Sequence, residues 1–254
     1  DITLVGSHPF YKDAVAFSIN NSNVVTSVSH SLKEDTQRLF HIKKDIQVIY
    51  NFIDADFYKS RQPPCEREMI VSREEKVITH ISNFRPLKRV LDVIKAFALI
   101  AEKCPAKLLM VGDGTDKSKA QAYCKEQGIE DQVLFLGKSN EIDRILCFSD
   151  LFLLPSEKES FGLSALEAMI HKVPVISSNV GGLPEINKEG FSGHLLDVGD
   201  YQGMAARGLE LLLDAEKQNK FKNNAFEQAL QFDLKKIVNQ YEAVYQKAIL
   251  SKTY

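Results

Sequence analysis

Neither sign of charge dominates this chain: 32 Lys and Arg stand against 34 Asp and Glu, a net charge of -2. That balance argues against a nucleic-acid binder and against a polybasic membrane anchor. No apolar run approaches the ~20 residues that span a bilayer. There is no C-x-x-C pair; Cys65, Cys104, Cys124 and Cys147 lie far apart. Such spacing suits free thiols in a reducing cytosol better than a disulfide framework or a zinc site, so a cytoplasmic location is expected. No H-E-x-x-H occurs among the 6 histidines. Gly112-Asp113-Gly114 opens like a dinucleotide fingerprint, but Lys117 takes the third glycine's place. Gly137-Lys138-Ser139 imitates the end of a P-loop, yet Gln132 stands where its first glycine belongs. Asp54 and Asp56 form an acidic pair with no further ligand nearby, so no metal is expected. No signal-peptide pattern precedes "DITLVG", which starts at Asp1 yet reads like a fold interior. The chain is therefore expected to be a piece of a longer protein.

What is present is an ordinary globular composition: 254 residues, 44% hydrophobic and 26% charged, enough for one large domain or two small ones. Strand-like and helix-like segments alternate. Asn23–Val28 and Ile46–Tyr50 read as strands, with Ser31 and Glu34 as a capping box for a helix between them, ending near Phe40. Residues from about Asp54 to Arg73, with Pro63-Pro64 and many charges, read as a linker. Then "KVITHISNF", "KLLMVGDG", "QVLFLG", "DLFLLPS" and "PVISSN" follow as apolar strands separated by helical segments. Val90, Ile94, Phe97 and Ala101 recur at the spacing of a helix packed on a sheet. From about Gly199 to Leu250 the pattern is helical, with Ile237, Tyr241, Val244, Tyr245 and Ala248 on one face of the last helix. Continuous apolar strands alternating with helices predict an α/β protein with a parallel sheet covered on both faces. Expected boundaries are 1–60 for a remnant of a first domain and 61–232 for a Rossmann-like domain, with a last helix over 233–254.

In such sheets ligands bind beyond the carboxyl ends of the strands, and the loops there carry the informative residues. "SEKESFGLSALEAM" has Glu159 in a loop and Glu167 on an otherwise uncharged helix starting near Phe161 or Gly162, with Leu163, Leu166, Met169 and Ile170 on one face. A lone carboxylate in a buried helix needs donors. Ribose hydroxyls would supply them; the plainer alternative is a partly exposed glutamate paired with a surface cation. The start of that helix offers free N–H groups and the positive end of a dipole, a site for phosphate, or else an ordinary surface helix end. After "KVITHI", Arg85, Lys88 and Arg89 gather where a helix begins. Cations there oppose the dipole. A bound anion would resolve the conflict, at about 1.5–3 kcal/mol per charge-assisted contact; a solvated basic cluster is the alternative. His80, inside an apolar strand, reads as a core residue rather than a catalyst, and Gly181-Gly182 as a strand-to-helix turn.

"HISNFRPLKR", "LLMVGDG", "EKESFGLSALEAM" and "SSNVGGLPEI", in that order, resemble the family 4 retaining glycosyltransferases of the GT-B fold. The likeness spans about residues 76–197. Within the family, "DITLVGS", "VTSVSHSLK", "VIYNFID" and "ISNFRPLKRV" look most like members that glycosylate L-malate in bacillithiol biosynthesis. The resemblance implies two facing Rossmann-like domains with a UDP-sugar, UDP-N-acetylglucosamine in the malate-specific members, between them, and a last helix, 233–254, that crosses back to the first domain. It implies that Arg85 and Lys88 hold the diphosphate, that Glu159 touches the donor sugar and that Glu167 binds the ribose. Backbone N–H groups from Ser160, Phe161, Gly162 and Leu163 would assist, the base would lie against Gly137 and Lys138, and Asn51 would face the acceptor. It implies front-face attack without a metal or other cofactor, a nucleotide-sugar donor and a small-molecule acceptor; the sequence leaves open whether the chain forms a homo-oligomer.

Two departures stand out. Asn83 sits where much of the family has its arginine, and Arg85 is three residues before Lys88. Lys172 sits where many members have a glycine of positive φ, at a cost of roughly 1 kcal/mol. The family's glycine-rich N-terminal half is expected to precede Asp1. A nucleotide-sugar-binding piece without catalysis is one alternative. A polysaccharide glycosyltransferase, an epimerase and a phosphorylase on the same fold are others.

Overall fold

Alternating apolar runs and amphipathic segments produce two units in the computed structural model, which describes residues 6–60 and 65–250. In chain order the elements are α1 (Pro9–Asn21), β1 (Thr26–Ser27), α2 (His30–Phe40), β2 (Gln47–Val48), α3 (Ala55–Ser60), β3 (Lys76–Ile81) and α4 (Val90–Ala101). They continue with β4 (Ala106–Val111), α5 (Lys117–Glu126), β5 (Val133–Gly137), α6 (Ile142–Leu146), β6 (Leu151–Leu154), α7 (Leu163–Ile170) and β7 (Val175–Ser178). The last are α8 (Leu183–Ile186), β8 (Gly193–Leu196), α9 (Tyr201–Leu212), α10 (Ala215–Ala229) and α11 (Leu234–Leu250). One unit comprises Asp1–Ile53 with Phe232–Tyr254, the other Asp54–Gln231.

The larger unit is built on a six-stranded parallel sheet of order β5-β4-β3-β6-β7-β8. Successive strands first run outward from β3 through β4 to β5. The chain then returns to the middle, pairing Ile78 with Leu151 and Thr79 with Phe152, and runs the other way from β6 to β8. Between β3 and β6 the direction of winding therefore reverses, which opens a crevice at the carboxyl ends of those two strands. Both faces of the sheet are apolar. Ile78, Leu108, Met110, Leu151 and Leu153 pack with α4 and α9, while Val77, Leu109 and Val111 pack with Ile145 and Phe148. That period-2 split is what a sheet buried on both sides requires. Val90, Ile94 and Phe97 of α4 are fully buried, as their spacing predicts.

The smaller unit pairs β1 with β2 in parallel over two residues each and packs Ile49 with Ile237 and Val244 of α11. Its strands are shorter than the sequence suggests. The chain passes from β1 almost directly into α2: the Ser29 carbonyl accepts the Lys33 N–H of that helix at 3.1 Å and the Ser27 hydroxyl at 3.0 Å. Helix α2 is capped by Ser29, whose hydroxyl accepts from the Leu32 N–H at 3.0 Å, rather than by the expected Ser31–Glu34 box. Tyr245 is exposed instead of sharing the buried face of α11.

Two further expectations are corrected. The segment read as a linker contains α3 and a short helical turn at Arg67–Met69, and the Asp54 carboxylate caps α3 through the N–H groups of Asp56 and Phe57. Pro63 and Pro64 lie outside the described residues. Cys65 and Cys147, expected as free thiols, are joined by a disulfide across 82 residues. The physical reason lies in tertiary structure. Arg67 donates to the Phe148 carbonyl at 2.6 Å and to Asp150 Oδ2 at 2.9 Å, drawing the segment after Cys65 along the end of α6. Cys104 and Cys124 are buried free thiols. No helix among the described residues is long and apolar enough to cross a membrane.

Candidate donor-binding site

Two loops leave the strands that flank the crevice. The loop after β3 runs through Ser82 to a tight turn at Pro86–Lys88, and the loop after β6 runs from Pro155 to Gly162. Backbone bonds lock them together: the Glu157 N–H donates to the Leu87 carbonyl at 2.8 Å. A third loop, after β7, holds the second in place, since the Gly182 N–H donates to the Glu159 carbonyl at 2.9 Å. Gly181 makes this approach feasible; a Cβ there would overlap the Glu159 carbonyl oxygen, and its φ is +56°. Gly112 does the same on the other flank, where a Cβ would strike the Ser82 carbonyl. The Gly112-Asp113-Gly114 turn thus serves close loop packing rather than a dinucleotide.

Lys88 and Glu159 meet in this frame. Lys88 Nζ lies 2.5 Å from Glu159 Oε2, with about the same small exposure of each side chain, 14% and 15%. The Ser156 hydroxyl donates to the same oxygen at 3.2 Å. Arg85 stands at the head of the turn, exposed and without an ion pair among the described residues; its carbonyl accepts from the Lys88 N–H at 2.8 Å. Asn83 is exposed on the same loop. Arg89 does not join them. It adopts φ 50° and turns to Asp92 of α4 at 2.6 Å, whereas Lys88 pairs with Glu159 of the facing loop, so of the expected trio Arg85 and Lys88 stay with these loops and only Arg85 has no ion pair among the described residues.

Helix α7 begins at Leu163 after Gly162, with no side-chain cap. The N–H groups of Leu163 and Ser164 have no acceptor among the described residues. Phe161 is buried, Ser160 exposed, and Leu163 is 45% exposed rather than part of the buried face. At the far end Lys172 adopts φ 60°, the left-handed conformation expected for it, with its ammonium 5.5 Å from the Phe226 ring centre. Gly137 has φ +68° and its carbonyl accepts from the Gly112 N–H; Lys138 beside it is exposed. Asn51 belongs to the smaller unit, between β2 and Ile53.

One turn into α7 lies Glu167. No hydrogen bond reaches its carboxylate among the described residues, and burial followed by the nearby Asp143 carboxylate pushes its pKa from 4.5 to about 7. Three residues that sequence reasoning missed surround it. Asp143 comes from α6. His171 donates from Nδ1 to the Glu167 carbonyl at 2.8 Å and presents Nε2 to Asp143 Oδ1 at 3.5 Å. Tyr58, edge-on to His171 at 5.3 Å, has its hydroxyl pushed up to about 12 by burial and by both carboxylates. Only His171, one turn after Glu167 on the same helix, carried a local signal; the other two arrive by tertiary folding.

His80 is fully buried. Its Nδ1–H donates to the Leu153 carbonyl at 2.8 Å, so Nε2 accepts from the Ser82 hydroxyl at 2.7 Å. Burial lowers its pKa to about 4 and keeps it neutral, a structural pin beneath the loop after β3. Among the described residues no cluster of His, Cys, Asp or Glu could hold a metal ion.

Arg85, Lys88, the uncapped start of α7 and, one turn further along that helix, the Glu167 carboxylate all lie on or next to the loops after β3 and β6, at the winding reversal where such sheets bind ligands. The chain belongs to the glycosyl transferases group 1 family, whose model matches residues 66–228. It is 47% identical over 247 residues to the N-acetyl-alpha-D-glucosaminyl L-malate synthase of Bacillus anthracis, covering 96% of this chain and 65% of that protein. It thus spans just under two thirds of that relative's length. Among solved structures, Anabaena Alr3699/HepE in complex with UDP-glucose superposes with a TM-score of 0.84 at 25% identity, over 97% of this chain and 70% of that one. WaaG, a glycosyltransferase involved in lipopolysaccharide biosynthesis, shares the fold with a TM-score of 0.80 at 18% identity, over 95% of this chain and 69% of that one. The architecture is therefore that of the GT-B glycosyltransferases.

Proposed function

We propose that this chain is the donor-binding part of a retaining glycosyltransferase that moves N-acetylglucosamine from its UDP-sugar to the hydroxyl of L-malate. The reading for donor and acceptor is supported by the 47% identity to the malate synthase, and that for the site by the contact of Lys88 with Glu159. In this reading the pathway is bacillithiol synthesis and the location cytoplasmic. The larger unit, Asp54–Gln231 rather than 61–232, binds the donor; the smaller, Asp1–Ile53 with Phe232–Tyr254, belongs to the acceptor side and carries the returning helix.

The chemistry follows from the loops. The bond from the sugar's anomeric carbon to the diphosphate breaks, and a bond to the malate hydroxyl oxygen forms on the same face. The hydroxyl proton passes to the departing phosphate oxygen. Charge therefore grows on the diphosphate, and in this reading Arg85, Lys88 and the first N–H groups of α7 stabilise it. Glu159, fixed by Lys88 and Ser156, is positioned to accept from a sugar hydroxyl, and Glu167 from the ribose hydroxyls. Asn83, Gly137 and Lys138 line the rest of the donor site, with Asn51 on the acceptor side. No step in this scheme calls on a metal.

The observation that carries the proposal is the 2.5 Å approach of Lys88 to Glu159 across two separate loops at the winding reversal. Incubating the full-length protein with UDP-N-acetylglucosamine and L-malate tests it. The expected products are UDP and the α-linked glycosyl malate. UDP release without malate glycosylation, or epimerised donor, would select another reading.

A further inference from the structure

We propose that the Cys65–Cys147 pair is a reversible thiol–disulfide site, opened and closed by low-molecular-weight thiols, that sets how firmly α6 holds Asp143 beside Glu167. The two sulfurs come from separate segments, one before the Arg67–Met69 turn and one at the C-terminal cap of α6. Cys65 is exposed and Cys147 half-buried, so an incoming thiolate reaches Cys65 first.

Both redox states have a place in the fold. Cys147 Sγ lies 3.2 Å from the Arg144 carbonyl, which accepts its S–H once the bond is open. Opening the bond does not scatter the partners. Arg67, two residues from Cys65, stays bonded to the Phe148 carbonyl and to Asp150 on the other wall. The cysteines are thus held within reach for reoxidation. Beside them lies a cavity of about 310 Å³ lined by Glu66, Ile70, Glu141, Arg144, Ile145 and Phe148, large enough for the body of a small thiol.

The exchange balances without further reactants. A thiolate attacks Cys65 Sγ, the Cys65–Cys147 bond breaks, and Cys147 departs as a thiolate that takes a proton. A second thiolate attacks the outer sulfur of the mixed disulfide and releases Cys65. Two small thiols are oxidised to their disulfide and the protein disulfide is reduced to two thiols; a small disulfide drives the reverse.

The link to the candidate site is short. The Cys147 N–H donates to the Asp143 carbonyl at 3.0 Å, and Asp143 Oδ1 faces His171, which bonds the Glu167 carbonyl. A bridged Cys147 fixes the end of a five-residue helix that bears Asp143. This last step rests on the reading of Glu167 as part of the nucleotide site.

The test uses the full-length protein equilibrated in cysteine–cystine buffers of graded ratio, then acid-quenched, alkylated and mapped by peptide mass. The expected result is joint protection of Cys65 and Cys147 in oxidising buffers and joint alkylation in reducing ones. Cys147→Ser is expected to carry one cysteine adduct on Cys65. UDP titration is expected to show tighter binding by the bridged form, at least about fivefold, with the difference absent in Cys65→Ser. Alkylation of both cysteines at every ratio would overturn the exchange site. Equal UDP affinity of the oxidised and reduced wild type would overturn the coupling. UDP bound in neither state would instead refute the nucleotide-site reading, and the peptide map would still decide the exchange.

Discussion

The two glutamates of the α7 region occupy opposite electrostatic settings with only seven residues between them. Glu159 has an ammonium at 2.5 Å and a hydroxyl at 3.2 Å. Glu167 has a second carboxylate for a neighbour and a pKa raised to about 7. In the proposed reading the first is a fixed acceptor, and the second, which has no hydrogen bond among the described residues, takes its donors from a ligand. That reading divides the work: charge stabilisation around the loops after β3 and β6, hydroxyl recognition one turn down α7.

The largest expected effect comes from breaking the first setting. Lys88→Ala removes a cation from the leaving group and strands Glu159. Turnover of the full-length enzyme should fall about 100- to 1000-fold, read by UDP release, with a wild-type rate sufficient to exclude Lys88 from the site. Arg85→Ala should act in the same direction, because its guanidinium has no ion pair among the described residues to divert it.

Next in size is the second setting. Glu167→Gln should weaken UDP by about 10- to 100-fold, the loss of charge-assisted bonds to hydroxyls, measured by calorimetry. It should also stabilise the protein. The raised pKa means that the protonated carboxyl favours the folded state; this contribution is complete below pH 4.5 and is lost as pH rises through about 7. At pH 8 the charged Glu167 therefore costs about 3 kcal/mol, and Glu167→Gln should recover much of it in a denaturation curve. An unchanged midpoint at pH 8 would show that the carboxylate is already paired.

His80 sharpens the comparison, because its sign is opposite. Its folded pKa is about 4 against an ordinary 6.5, so its contribution is present above pH 6.5 and lost as pH falls through about 4. Between pH 4.5 and 6.5 the two groups oppose each other in the wild type. In Glu167→Gln the His80 slope stands alone, and stability should drop more steeply on acidification. The smallest effect belongs to Arg89→Ala. With its charge spent on Asp92 at 2.6 Å, it should change turnover by less than about fivefold; a loss matching that of Lys88→Ala would place it in the site after all.

Much of the larger unit was legible because its strands are apolar runs, β4, β5 and β6 ended by glycine or proline, and the candidate site residues sit in or just after the loops that follow them. Arg85, Lys88, Glu159 and Glu167 could be named from that pattern together with the family resemblance. What escaped depends on distances that no local pattern encodes. Asp143 and Tyr58 reach Glu167 only through packing of α6 and α3. Arg89 looked like a third anion ligand because its left-handed backbone and its turn toward Asp92 appear only in the fold. Cys65 and Cys147 looked free because 82 residues separate them, while the Arg67 network that brings them together is a tertiary contact. In the smaller unit the two-residue strands leave little periodicity to read.

The most direct measurement is a crystal structure of the full-length protein with UDP. The account predicts the diphosphate within hydrogen-bonding distance of Lys88 Nζ and of the first N–H groups of α7, with both ribose hydroxyls on the Glu167 carboxylate. A diphosphate bound away from Lys88, or a ribose that leaves Glu167 untouched, would contradict it.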